Sequence, residues 1–328
     1  MIISRTPLRI SFVGGGSDIQ SYYRLNTGAV ISTAINKYIY ITVNKKFDNK
    51  IRASYSKTEI VDSIDQVQHP LIRECLKMTE IDSGIEVTSM SDIPSEGTGL
   101  GSSSSYTVGL LNALYAYKGR HVSAEQLAQE ACKIEIDILK NPIGKQDQYI
   151  AAYGGIQHIQ FNPDESVYVD PIICSSETKS RLQENLLLLY TGLTRSSYPI
   201  LAKQSINMEK NEEKRNTMIQ MVEFTKEMRK ALSENMLDSF GMMLDKNWLL
   251  KKTLTQDISS EKIDFWYEKA KKGGATGGKI LGAGGGGFLL LYAEVKNHIR
   301  IINSLPELTP MSFKFEPQGS KIIFVDKI

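Results

Sequence analysis

Cysteine is scarce in this chain: Cys75, Cys132 and Cys174 are the only three in 328 residues. They are odd in number and far apart, which argues against a disulfide framework or a cysteine-built zinc knuckle and for a reducing compartment. The four histidines, His69, His121, His158 and His298, form no pair four residues apart, so no protein-only metal cage is expected. An excess of either charge is also missing. Lys plus Arg total 39 and Asp plus Glu 37, a net of +2, which offers little to a nucleic acid. Long apolar runs are absent as well: stretches such as Leu186–Tyr190 are far too short to span a bilayer. Arg5, Pro7 and Arg9 interrupt the opening residues before a signal segment could build. Neither nucleic acid nor membrane is expected as a partner, and the cytoplasm is the expected location. A homodimer is compatible with this reading.

What is present is ordinary for a globular protein, with 41% hydrophobic and 23% charged residues. The length suits two domains and a sizeable core. Runs rich in β-branched and aromatic residues predict strands at Tyr38–Val43, Ile85–Ser89, Leu186–Tyr190, Phe288–Tyr292 and Lys321–Val325. Pro317-Gln318-Gly319 predicts a turn that would pair Met311–Phe315 with Lys321–Val325. Ser123 through Gln126 has the form of a capping box. It would open a helix whose buried stripe is Leu127, Ala131, Ile134 and Ile138. Residues from Ile200 to about Asp257 predict two or three further helices. The pattern fits an α+β, or mixed α/β, protein of two domains. A boundary in the region 170–185 would give domains of 1–175 and 176–328.

Three glycine-rich segments each adjoin an apolar run. The sharpest is Pro94-Ser-Glu-Gly97-Thr98-Gly99-Leu100-Gly101-Ser102-Ser103-Ser104-Ser105, between a predicted strand and a predicted helix. Its glycines let backbone amides approach an anion. Its serines fall at a helix start, where free N–H groups and the helix dipole favour phosphate. A second is Gly14-Gly15-Gly16-Ser17-Asp18. A third runs from Gly282 through Gly284, Gly285 and Gly286 to Gly287. The segment Gly273–Ile280 nearly matches a P-loop, but Ile280 stands where the magnesium-binding hydroxyl belongs, so it reads as the approach to the third loop.

Pro7 through Asp18, Pro94 through Ser104 and Lys279 through Phe288 resemble, in that order, the three motifs of the GHMP kinase family. Within it the sugar 1-kinases look most similar, through Asn141-Pro-Ile-Gly144-Lys145-Gln146-Asp147-Gln148-Tyr149. The resemblance implies an N-terminal domain with a left-handed βαβ crossover and a C-terminal ferredoxin-like domain. It implies ATP and Mg²⁺, and transfer of phosphate to the anomeric hydroxyl of a sugar phosphate, a heptose already phosphorylated at C7. A fucose- or galactose-type 1-kinase is the alternative, and a non-catalytic sugar/ATP sensor is an alternative of another class.

By the same resemblance, Gly97, Thr98, Gly99, Leu100, Gly101, Ser102, Ser103 and Ser104 hold ATP. Asp147 accepts or orients the sugar hydroxyl, consistent with general-base chemistry, and Arg9 is its partner. Ser103 and Glu135 hold the metal. Glu135 also stands out unaided, because it shares a helix face with Ala128, Cys132 and Leu139, where an unpaired carboxylate is costly. Gly15, Gly16, Asp18, Lys145 and Arg195 are expected to hold the sugar, with Arg195 aimed at its distal phosphate. Galactokinases carry Glu-His in place of Gly15-Gly16, so the smaller residues here are expected to leave room for a different or larger sugar. Gly284, Gly285 and Gly286 complete the third loop.

Overall fold

The computed structural model describes residues 1–94 and 97–326. Ser95 and Glu96, inside the second glycine motif, lie outside the described residues. The first half runs β1 (Ile2–Val13), α1 (Gln20–Tyr23), β2 (Gly28–Lys45), β3 (Ile51–Ser54), β4 (Thr58–Val61), α2 (Pro70–Met78) and β5 (Ile85–Ser91). It continues with α3 (Ser102–Tyr117), α4 (Ala124–Cys132), α5 (Gln146–Tyr153), β6 (Ile156–Phe161) and β7 (Val167–Pro171). The second half is α6 (Ser176–Asn185), β8 (Leu186–Tyr190), α7 (Tyr198–Lys210), α8 (Glu212–Ser233), α9 (Phe240–Leu254) and α10 (Glu261–Gly273). It closes with β9 (Gly277–Ile280), β10 (Phe288–Tyr292), α11 (Val295–Ser304), β11 (Thr309–Pro310) and β12 (Lys321–Val325).

The larger sheet has the order β12-β1-β2-β5-β3-β4, with β6 and β7 extending from β2. From Arg9 to Val13, β1 is buried on both faces, as a strand covered on both faces is; helices α3, α5, α8 and α9 all pack against it. Helix α3 lies against β1 and β2. From Ser104 to Leu111 every residue of it is buried, which small and aliphatic side chains permit. The smaller sheet, β11-β8-β10-β9, is antiparallel throughout. Its strand order is that of a ferredoxin-like β-α-β-β-α-β unit, with four helices, α7 to α10, in the first crossover. Edge-to-face packing of Phe12 on Phe240, centroids 5.3 Å apart, joins the larger sheet to α9. Burying one such ring contributes about 1.5–3 kcal/mol.

Two expectations fail here. Lys321–Val325 is a strand, but it does not pair with Met311–Phe315. It adds instead to β1, with Ile2 opposite Val325 and Arg5 opposite Lys321. The open edge of a long central strand offers more ladder bonds than a short local hairpin. A cut between 175 and 176 is therefore not clean, because the chain's last strand belongs to the first sheet. The second concerns Ile138, which is exposed rather than buried. Residues Lys133–Ile138 are π-helical, and the extra residue in that turn rotates Ile138 off the stripe that Leu127, Ala131 and Ile134 share.

Candidate active site

Four loops converge at the ends of β1, β9 and the N-termini of α3 and α5. The second and third glycine motifs meet backbone to backbone. Gly99 has φ +74°, and a Cβ on it would lie 2.4 Å from the Leu281 carbonyl oxygen. Only glycine permits both that conformation and that approach. Helix α3 then begins with Ser102–Ser105. Ser103 is the exposed one of the four; Ser105 is turned inward and donates to the Pro7 carbonyl at 2.8 Å.

Asp147 and Arg9, 138 residues apart, meet in a bidentate pair. Arg9 Nε and Nη2 donate to the two carboxylate oxygens, each at 2.7 Å. Arg9 Nη1 donates to the Gly99 carbonyl at 2.5 Å, and its backbone N–H donates to Leu100 at 3.0 Å. One arginine thus ties the carboxylate to the glycine loop. Asp147 stands in the first turn of α5, where the helix dipole favours negative charge. A Cβ on Gly101 would come within 3.2 Å of its Oδ2, so the carboxylate and the loop that opens α3 are in contact.

Glu135 is fully buried, inside the π-helical turn. Ser103 Oγ and Gln148 Nε2 donate to its two oxygens, each at 2.7 Å. Burial pushes its carboxyl up to about 7, against the pull of those donors. The sequence-expected pair of Ser103 and Glu135 is therefore brought together. Among the described residues no three His, Cys, Asp or Glu side chains converge as a metal cage.

Asp18 is buried and accepts from Gly16 N–H at 2.9 Å and from the Gln146 backbone and side-chain amides at 3.2 Å each. Burial raises its pKa, and the nearby Asp147 raises it further. It links the first glycine loop to the start of α5. The room expected beside Gly16 is taken. The fully buried Gln204 of α7 brings its Nε2 to 2.1 Å from where a Cβ on Gly16 would stand. Beside Gly15 the nearest atoms are 3.4 Å or more from that point.

Two expected sugar contacts stand elsewhere. Lys145 pairs with Glu165 at 2.5 Å and lies over the Tyr23 ring, 4.4 Å from its centroid. Its charge is spent in tying α5 to the β6–β7 turn. Arg195 is exposed, beside the second and third glycine loops. Its backbone N lies 3.0 Å from the Cβ position of Gly97, and its Cδ 3.3 Å from that of Gly285. The residue next to it in the third loop, Gly286, packs on the Leu193 carbonyl, and Gly284 packs on Ile258.

Lysines 251 and 279 escape the sequence reading. Lys279, in the segment that nearly matches a P-loop, is buried on β9 and donates to the Ser11 and Phe12 carbonyls at 2.9 and 3.1 Å. It pins β9 to β1, and burial drives its pKa well below the ordinary lysine value. Lys251 is buried on α9, and its Nζ donates to the Gly282 carbonyl at 2.8 Å. A signal was available: Leu244, Trp248, Lys251 and Leu254 recur at helical spacing and are all buried.

A family model described as the GHMP kinases N terminal domain matches residues 67–155, and one described as GHMP kinases C terminal matches 228–306. The chain belongs to the GHMP kinase family. It is a kinase with a hydroxyl acceptor and ATP as phosphate donor. This GHMP kinase is 28% identical to a D-glycero-alpha-D-manno-heptose 7-phosphate kinase from Campylobacter jejuni, over 98% of both chains. It is 26% identical to an L-fucokinase/L-fucose-1-P guanylyltransferase from Bacteroides fragilis, covering 94% of this chain and 36% of that protein. The solved structure of a D-glycero-D-manno-heptose 1-phosphate kinase from Bacteroides thetaiotaomicron shares the fold, with a TM-score of 0.82 and 23% identity over 100% of both chains. Among the described residues of this GHMP kinase, no helix is long and apolar enough to cross a membrane.

Proposed function

We propose that this GHMP kinase phosphorylates the anomeric hydroxyl of D-glycero-D-manno-heptose 7-phosphate, giving the 1,7-bisphosphate that precedes nucleotide-activated heptose in surface polysaccharide synthesis. The observation that carries the reading is the end-to-end likeness to the Campylobacter jejuni enzyme, joined to a carboxylate held by arginine against the glycine loop.

In this reading the amides of Gly97–Ser104 cradle the phosphates of ATP. The sugar lies on the Gly15 and Asp18 side of the first loop, because Gln204 fills the space at Gly16, with its anomeric hydroxyl at Asp147. Asp147 orients that hydroxyl and takes its proton as the oxygen attacks the γ-phosphorus and the bond to ADP breaks. Arg9 fixes the carboxylate in place and shares its charge with the glycine loop. Phosphoryl transfer depends mainly on such positioning and charge stabilisation.

A magnesium ion fits the donors present. Mg²⁺ is commonly held by one or two carboxylates together with nucleotide phosphates, and Glu135 is a buried carboxylate that forms no ion pair among the described residues and has the exposed Ser103 hydroxyl bonded to it. When bound there by Glu135 and Ser103, the ion would neutralise phosphate charge.

ADP release measured against a panel of free and phosphorylated sugars tests the proposal. Turnover confined to heptose 7-phosphate supports it. Turnover of free L-fucose or galactose, with none of the heptose phosphate, overturns it.

A further inference from the structure

Lys251 has three N–H donors and, among the described residues, one bonded acceptor, the Gly282 carbonyl at 2.8 Å. No carboxylate pairs with it among the described residues. Yet it is 4% exposed, and a buried, under-bonded ammonium is costly unless an anion completes it. Its position is informative. The Nζ lies 3.8 Å from where a Cβ on Gly15 would stand, while its bonded carbonyl belongs to the third glycine loop. The charges that act on it are Asp18, Arg9 and Asp147, which surround the reaction centre rather than the far end of a sugar. Asn247, one turn earlier on α9, accepts from the Gly14 N–H at 3.2 Å, so α9 is fastened to the first loop and the lysine is held at a fixed place.

We infer that Lys251 is a further catalytic residue, a cation from α9 that contacts the phosphoryl group in transit between ATP and the sugar hydroxyl. The inference rests on the proposed kinase site and adds a residue to it. In transit the phosphoryl group spreads negative charge over its three peripheral oxygens. A fixed ammonium in a site poor in water stabilises that charge without reorganising. The lysine keeps its own proton throughout: the hydroxyl proton goes to Asp147, the new bond joins the sugar oxygen to phosphorus, and ADP departs with the bridging oxygen.

The idea carries a pH signature. Burial brings the Lys251 ammonium down to about 8, with Arg9 adding to the effect and Asp18 and Asp147 opposing it. Lys279 also faces it, and the Lys251 charge adds to the burial that lowers the Lys279 pKa. The cation therefore fades within reach of assay pH, whereas an arginine at 251 would stay charged.

The test compares wild type with Lys251→Met and Lys251→Arg, using whichever acceptor the wild type turns over. The methionine variant is expected to lose at least about 100-fold in kcat, as for a removed oxyanion donor, with KM for both substrates within about threefold on the same reasoning. The arginine variant, if active, is expected to hold its kcat to a pH at least about one unit higher than wild type. Binding of ADP with Mg²⁺ and aluminium fluoride, a planar mimic of the moving group, needs no acceptor. Wild type should bind this mixture tighter than ADP with Mg²⁺ alone, and Lys251→Met should lose that gain. Wild-type kcat in the methionine variant, an unmoved basic limb in the arginine variant or an undiminished fluoride gain would each overturn the inference. Should wild type ignore heptose 7-phosphate but phosphorylate another sugar, the substrate assignment falls while this test stands.

Discussion

Arg9 holds Asp147 edge-on, with Nε and Nη2 each 2.7 Å from a carboxylate oxygen, while Nη1 of the same side chain holds the Gly99 carbonyl. The fork lets one residue set the distance between carboxylate and glycine loop. Asp147→Asn keeps the shape and loses the proton acceptor. Its kcat should fall about 10²- to 10⁴-fold, with the ATP dissociation constant nearly unchanged by calorimetry. Arg9→Lys cannot make the bidentate bond and should also fall, by at least about tenfold. A kcat near wild type in Asp147→Asn would remove the residue from the chemistry.

Glu135 is a second point of attack. Buried and shifted to about 7, it gains little in the unliganded protein from being charged. Glu135→Gln should therefore melt no lower than wild type without Mg²⁺ and nucleotide. The Mg²⁺ concentration for half-maximal activity should rise by about tenfold or more, since a ligand is lost. An unchanged Mg²⁺ dependence would place the metal elsewhere.

Lys145 and Glu165 separate structure from chemistry. Burial alone would raise the Glu165 pKa, but bonds from Lys145, Tyr23 and Arg24 outweigh it and bring it from 4.5 to about 2. A depressed carboxylate stabilises the fold above its unfolded pKa and ceases to do so as pH falls through the folded one. Stability measured by urea unfolding should thus drop between pH 4.5 and 2, and Glu165→Gln should flatten that drop. The effect is modest because the Glu165 side chain is 42% exposed. Lys145→Met should leave KM for the sugar within about twofold, as expected of a residue outside the binding contacts. A large rise in KM would return Lys145 to the sugar site.

Gly99→Ala should act on the loop contact itself. It places a methyl 2.4 Å from the Leu281 oxygen at φ +74°, so the second and third motifs must separate. ADP affinity should fall at least about tenfold and the melting temperature with it. Gly119→Ala is the matched control: its φ is +70°, with nothing within 4 Å. It bears only the left-handed backbone cost of about 1–2 kcal/mol and should bind ADP normally. Equal ADP affinity in the two variants would contradict the close approach.

Arg195→Ala should raise KM for ATP more than KM for the sugar, because Arg195 sits beside Gly97 and Gly285. Steady-state kinetics with each substrate varied in turn decides it. The opposite pattern would restore Arg195 to the sugar's distal phosphate.

Local chemistry made much of this legible before the fold was known. Leu186–Tyr190, Phe288–Tyr292 and Lys321–Val325 are strands with the expected ends, because each is a compact apolar or β-branched run between turn residues. Ser123 caps α4 as its spacing implies, accepting from Gln126 N–H at 3.1 Å. Long-range pairing was not legible: nothing within Lys321–Val325 says that it joins β1 rather than its neighbour. The π-helical turn was hidden too, since a repeat of 3.6 residues cannot announce its own interruption. In the site, motif and stripe point to Asp147, Arg9, Ser103 and Glu135, and the fold brings them together as two bonded pairs. Lys145 misled because an exposed-looking lysine beside Asp147 carries no sign of its distant partner Glu165. Lys251 was missed because a lysine in a lysine-rich helix reads as solvated, although its register with Trp248 places it inside.

The central claim, transfer of phosphate from ATP to the anomeric oxygen of heptose 7-phosphate, is tested most directly by phosphorus NMR of the product. The purified protein would be incubated with ATP, Mg²⁺ and D-glycero-D-manno-heptose 7-phosphate. The account predicts a second sugar phosphate signal, coupled to the anomeric proton and absent when Asp147→Asn replaces wild type. A product phosphorylated at another carbon, or heptose 7-phosphate left intact while a free sugar is consumed, would contradict it.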